Sequence, residues 1–187
     1  MSVWAWIVLA AVLLLALYVA YAYNSLVRHR NECETGWANI DVQLRRRADL
    51  IPNLVEAVRG YAAHERETFD EVTQARAAVM SAGGPRAAAE ANDMLGTALG
   101  KLFAVSEAYP QLRASENFQS LQDELTDTED KIAAARRYYN ATVLRFNTRQ
   151  QTFPALVVAR MFRFQPREFF EAGDEADAPV GVSFERA

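Results

Sequence analysis

Two histidines, one cysteine and a spread of carboxylates and arginines are the residues with which this chain could do chemistry. His64–Glu65 begins like the helix of a zinc hydrolase, where two histidines one turn apart bind the metal and a glutamate serves as base. Thr68 stands where the second histidine is needed. A di-iron bundle sets a glutamate three residues ahead of a histidine. Tyr61 occupies that position before His64, and two histidines, His29 and His64, with one cysteine leave little for a transition-metal site. The stretch SAGGPR from Ser81 lacks the lysine and the preceding strand of a phosphate loop, and no G-x-S-x-G elbow occurs. Cys33 is alone, so no intrachain disulfide forms; its place within an apolar stripe favours a small buried hydrophobe over a reactive thiol. No catalytic, cofactor-binding or metal-binding residue is assigned, and the chain is expected to be non-enzymatic.

The elements that carry these residues read as helices. The chain has 187 residues and a formal charge of −4, which gives no reason to expect nucleic-acid binding. Glycine and proline are few, alanine, leucine, glutamate and arginine are many, and no alternating β-branched run is bounded by turns. An all-α fold follows.

Residues Val3 to Ala22, VWAWIVLAAVLLLALYVAYA, contain no charge. Twenty residues at about 1.5 Å each span about 30 Å, the hydrocarbon thickness of a bilayer. Trp4 and Trp6 at one end and Tyr18, Tyr21 and Tyr23 at the other are placed like interfacial aromatic belts. A cleaved signal peptide is the alternative, since AYA at Ala20–Ala22 resembles a cleavage site. The absence of a basic residue before the run, and the length of the run, favour an anchor. Arg28 and Arg30 follow the segment, so the positive-inside bias puts the N-terminus outside the plasma membrane of a bacterium and the body in the cytoplasm.

Beyond the anchor (1–23), apolar residues recur at alternating steps of three and four. Leu26, Cys33, Trp37, Ile40 and Leu44 form one stripe; Ile51, Leu54, Val58, Tyr61, Thr68, Val72, Ala75 and Val79 form a second, interrupted at Glu65. Leu95, Leu99, Leu102 and Val105 suggest a third, and the longest runs from Phe118 to Phe146. The periodicity and the punctuation at SAGGPR, Pro110 and Phe153–Pro154 predict helices over 24–47, 50–80, 86–108 and 115–152, forming an antiparallel four-helix bundle over 24–165. Residues 166–187 are acidic and aperiodic and are expected to be a disordered tail. The break at 47–50 is inferred from Asp49 as an N-cap and Pro52 within the turn that would follow. Arg45, Arg46 and Arg47 would then close one helix at a bundle tip, suiting its dipole and offering a candidate partner-binding patch.

With no proline before Pro52, the anchor is expected to run unbroken into the first bundle helix, a rod of roughly 65–70 Å at about 1.5 Å per residue. Up-down connectivity would return the segment after Phe153 to the bilayer end. Arg160, Met161, Phe162, Arg163 and Phe164 there suit a headgroup surface, with capping of the bundle core as the alternative. Asn140 and Asn147, a heptad apart, are candidates for setting helix register through interhelical hydrogen bonds.

Tyr23–Glu65 (YNSLVRHRNECETGWANIDVQLRRRADLIPNLVEAVRGYAAHE) and Glu116–Phe164 (ENFQSLQDELTDTEDKIAAARRYYNATVLRFNTRQQTFPALVVARMFRF) resemble the LemA family of bacterial membrane-anchored proteins. The resemblance implies an N-terminal transmembrane helix, a cytoplasmic antiparallel helical bundle, no established enzymatic activity, and for some relatives an association with specialised internal membranes. The expected partners are the lipid bilayer, further copies of the chain and an unidentified protein; no cofactor is expected. The expected role is a membrane-organising scaffold, with an adaptor that presents the arginine tip to a membrane protease or transport component as the alternative.

Overall fold

A computed structural model describes residues 2–171. Six helices follow one another among these residues, with no strand: α1 (Val3–Arg59), α2 (Arg66–Ser81), α3 (Pro85–Glu107), α4 (Pro110–Arg113), α5 (Glu116–Gln151) and α6 (Ala155–Met161). They divide into two compact units, one of residues 2–41 and 133–169, the other of residues 42–132 and 170–171.

In the first unit the beginning of α1 meets the end of α5. Residues 3–17 of α1 are exposed on every side, and burial begins only at Ala22 and Leu26 and continues through Cys33 and Ile40. The predicted stripe therefore supplies the core, with Trp37 at its margin and Arg30 half-buried within it. From α5, Tyr139, Val143 and Phe146 face it, and Ala155, Val158 and Ala159 of α6 are buried as well. The two long helices approach closely at Gly36: a Cβ there would lie 3.3 Å from Cδ2 of Tyr139 and 3.4 Å from its Cα. Glycine weakens a helix interior, but here its missing side chain admits the tyrosine.

The second unit holds the end of α1, all of α2, α3 and α4, and the start of α5. Its core is built from Ile51, Leu54 and Val58 of α1, Phe69 and Val72 of α2, Leu95, Leu99 and Leu102 of α3, Leu112 of α4, and Phe118 and Leu125 of α5. α2 packs on α3, and Lys101 Nζ reaches the Glu71 carboxylate at 2.7 and 2.9 Å. SAGGPR is a helix stop and restart: Gly84 has φ +147°, which glycine tolerates, and Pro85 opens α3 where its missing N–H has no helical partner anyway.

The predicted break between Arg47 and Leu50 does not exist, because α1 is one helix to Arg59. Proline inside a helix deletes one amide donor and leaves the carbonyl four residues earlier without its partner. For Pro52 that carbonyl belongs to Ala48, which is wholly buried. Arg76 of α2 supplies the missing donor, its Nε–H bonding to the Ala48 carbonyl at 2.8 Å. The chain turns instead at Gly60–Glu65. That turn shifts the phase of the apolar pattern by one residue: Tyr61 is exposed and Ala62 buried, and Phe69 rather than Thr68 enters the core.

Candidate functional site

The second unit contains a cleft of about 720 Å³ between α3 and α5, with Arg47 of α1 at its base. Gly96, Thr97 and Gly100 make a low wall on α3, and Gln122, Thr126 and Glu129 line the α5 side. The arrangement follows from small residues on one helix and long polar ones on the other. Arg47 is 7 % exposed. Its Nη1 lies 2.6 Å from Asn92 Oδ1 and 2.7 Å from Glu129 Oε2. Burial lowers the pKa of Arg47 from its ordinary value, and the charges of Glu129 and Asp93 oppose that shift. This guanidinium is thus engaged inside the fold, joining α1 to α3 and α5.

The arginine triplet consequently has a different place from the one its sequence suggests. Arg45, Arg46 and Arg47 lie in the middle of α1 rather than at a helix end, and the tip on which a partner-binding role was based is absent. Arg45 and Arg46 are exposed, while Arg47 is buried in the ion pair.

In the first unit, the chain beyond α6 folds back along α5. α6 ends with Phe164 N–H bonded to the Ala159 carbonyl and Arg163 N–H to that of Arg160, the pattern of a helix closed by one left-handed residue. That residue is Arg163, with φ +55°. Glycine usually holds this position, and a side chain there costs about 1 kcal/mol. The reversal brings Phe162 within 4.8 Å of the Tyr23 ring and lays Phe164 against Tyr23 and Phe146, at 5.9 and 6.3 Å between ring centroids. Of the five residues assigned to a membrane surface, Arg160, Met161, Phe162 and Arg163 are exposed, while Phe164 is half-buried in this aromatic cluster.

Residues 165–169 are held on α5. Asn147 Nδ2 donates to the Arg167 carbonyl and its Oδ1 accepts from the Arg167 N–H, both at 2.9 Å. Asn147 therefore reads the backbone of the returning segment; it does not bridge two helices. Asn140 is half-buried on α5. Arg167 reaches Glu34 of α1 at 2.7 Å, and the Tyr139 hydroxyl donates to the Glu168 carbonyl at 2.8 Å. The disordered tail expected from residue 166 is corrected over 166–169 by these bonds, and its remainder from residue 172 lies outside the described residues. Cys33 is buried, and desolvation raises its pKa, against a hydrogen bond with Thr142 that lowers it. Among the described residues, no group of three or more His, Cys, Asp or Glu side chains is arranged to hold a metal ion.

Burial pushes the Tyr139 hydroxyl from 10.0 up to about 12. Below pH 10 it is protonated in both folded and unfolded chains, and its bond to Glu168 contributes in full. Between 10 and about 12 the unfolded chain releases the proton first, so stability falls as pH rises. Tyr139→Phe is expected to lower the urea midpoint at pH 8, and the gap from wild type should narrow between pH 10 and 12. A constant gap would contradict the assignment.

Among the described residues every regular element is a helix, and one N-terminal helix is long and apolar enough to cross a bilayer, which fits a membrane-associated helical protein. The model of the LemA family matches residues 36–184, and the chain belongs to that family. Magnetosome protein MamQ of Magnetospirillum gryphiswaldense is 26% identical over 84% of this chain and 68% of its own length. Magnetosome protein MamQ 2 of Paramagnetospirillum magneticum matches to the same extent. Protein LemA of Metamycoplasma hominis is 27% identical over 86% of this chain and 74% of its own. The resemblance carried by Tyr23–Glu65 and Glu116–Phe164 is thereby borne out.

Proposed function

We propose that the protein is a single-pass membrane-anchored scaffold that self-associates in the plane of the bilayer and catalyses no reaction. The carrying observation is the contrast within α1. Its uncharged apolar run is exposed throughout residues 3–17, while the same helix is packed from Ala22 onward. Leu13, Leu14 and Leu15 are each at least 60 % exposed. Leaving such a surface in water forgoes about 25 cal/mol for every Å² that could be buried, so the run belongs in hydrocarbon. Arg28 and Arg30 set the body on the cytoplasmic side of the inner membrane. In the second unit, the end of α1, α2, α3 and the start of α5 make an antiparallel four-helix bundle in this reading. The relatives named magnetosome proteins are consistent with a role in organising a membrane.

A bilayer confines its anchored proteins and raises their effective concentration, so modest contacts between copies suffice for assembly. Leu144 is 58 % exposed on α5 and is a suitable reporter. A Leu144→Cys chain, with Cys33 replaced by alanine, should give chain-to-chain crosslinks in native membranes. Products with one foreign protein and no self-crosslinks would overturn assembly. Such products would instead favour an adaptor, the second reading, for which the cleft above Arg47 is the structural support.

A further inference from the structure

The first unit carries two adjoining hollows that share a wall. One, of about 370 Å³, is lined by Arg30, Arg163 and Arg167 together with Tyr23, Phe162 and Phe164. The other is an apolar groove of about 550 Å³ along the N-terminal helix, from Val12 through Leu15, Ala16 and Val19 to Ala20, with Tyr23 and Phe162 also lining it. Among the described residues, three arginines line the first hollow, and one carboxylate, that of Glu34, pairs with them. Glu34 is bonded to Arg167 at 2.7 Å and stands 3.9 Å from Arg30. The balance is an excess of two positive charges. Arg30 also lies over the Phe164 ring, its Cζ 5.9 Å from the centroid, and its Nε is buried with no hydrogen-bond partner among the described residues. Among the described residues, no side-chain hydrogen bond or ion pair is made by Arg163.

Arg163 is the most telling of these. The end of α6 requires a left-handed residue, and glycine would close it more cheaply than any side chain. Among the described residues nothing engages this guanidinium, so the turn itself does not account for the arginine. Strain of this kind points to a role for the side chain beyond the turn.

We propose that the paired hollows bind one anionic phospholipid, an assignment that rests on the membrane placement proposed above. The phosphate sits in the arginine hollow between Arg30 and Arg163, where charge-assisted hydrogen bonds recognise it. One acyl chain runs down the groove from Phe162 past Ala16 toward Val12. The adjacency of the two hollows, with Tyr23 and Phe162 common to both, argues for a lipid rather than a free phosphate, because a small anion would leave the apolar half unfilled. A zwitterionic headgroup offers the phosphate but adds a cation to a site that already holds a positive excess. Bound lipid would clamp the returning segment to the helix that enters the bilayer.

The test uses the full chain purified in a non-ionic detergent, titrated with short-chain phosphatidylglycerol, short-chain phosphatidylcholine or glycerol phosphate, with retained ligand counted by native mass spectrometry. Phosphatidylglycerol should bind with one-to-one stoichiometry, and phosphatidylcholine and glycerol phosphate at least about tenfold more weakly. Arg163→Gly keeps the turn, and should melt no lower than wild type while losing about tenfold in phosphatidylglycerol affinity. Phe162→Ala should weaken both short-chain lipids without changing the response to glycerol phosphate. Equal binding of the two lipids, glycerol phosphate binding as tightly as phosphatidylglycerol, or an Arg163→Gly chain that binds like wild type would each overturn the site. Alkaline extraction of native membranes separates the two levels: a chain that stays in the membrane yet shows no lipid preference loses only this site, whereas one released by extraction loses the membrane placement as well.

Discussion

Arg47→Ala should destabilise the full chain by about 3 kcal/mol, read from urea unfolding in detergent micelles at neutral pH. Two effects combine. The long side chain vacates a place that is only 7 % exposed, and Asn92, also 7 % exposed, loses the donor to its Oδ1. Glu129 behaves differently although it shares the same guanidinium. Its side chain is 49 % exposed and can return to water, and a glutamine would still offer an acceptor at the same place. Glu129→Gln is therefore expected to cost about 1 kcal/mol or less. Equal losses for the two substitutions would mean that the ion pair, and not the burial of Arg47, dominates.

Pro52 and Arg76 should show strong coupling. Removing the Arg76 guanidinium leaves the buried Ala48 carbonyl without a donor, at a cost of about 1–3 kcal/mol. Pro52→Ala returns the helical amide to that carbonyl and relieves the ring clash, and is expected to stabilise α1 by about 1–2 kcal/mol. In the Pro52→Ala background the arginine becomes redundant, so Arg76→Ala should then cost about 0.5 kcal/mol or less. A double-mutant cycle with a coupling of at least about 1 kcal/mol would establish the exchange of donors. Strict additivity would contradict it.

The same pair of residues shows where sequence reasoning stops. A proline three residues after an aspartate is a sound local signal for a helix start, and Arg45–Arg47 before it are sound signals for a helix end. Both are overruled by one donor 28 residues away in sequence. The true turn did leave a mark, since Gly60 and the interruption at Glu65 break the second apolar stripe there. Position 163 is opaque for a different reason. Nothing in RMFRF says which residue takes the left-handed backbone, because any closing residue other than glycine depends on what the turn packs against. Asn147 was recognisable as a polar residue on an apolar face, but its partner is the returning backbone 20 residues on, a contact with no periodicity to reveal it.

What was legible rests on bulk properties. The apolar run from Val3 is visible because hydrocarbon burial demands length and absence of charge, and the structure leaves that run unpacked. Leu95, Leu99 and Leu102, and the heptad from Phe118 through Leu125 and Ile132 to Tyr139 and Phe146, were visible because helix packing demands period, and all of these are buried. The mixture of arginines and aromatics at 160–164 was visible as composition. The cleft beside Gly96 and Gly100 carried no such signal, since two glycines within a helix look the same whether they line a groove or merely weaken the turn.

The depth of α1 in the bilayer is the most direct test. Single spin labels at successive positions from Val8 to Arg30, in the full chain reconstituted into lipid bilayers, would report collision with oxygen and with a water-soluble nickel complex. Oxygen access should peak near Val12–Leu14, fall toward Tyr23, and give way to nickel access by Arg28, with a 3.6-residue oscillation appearing once Ala22 and Leu26 enter the packed core. Nickel access that is high at every position from Val8 to Tyr23 would place this helix in water and contradict the membrane anchor.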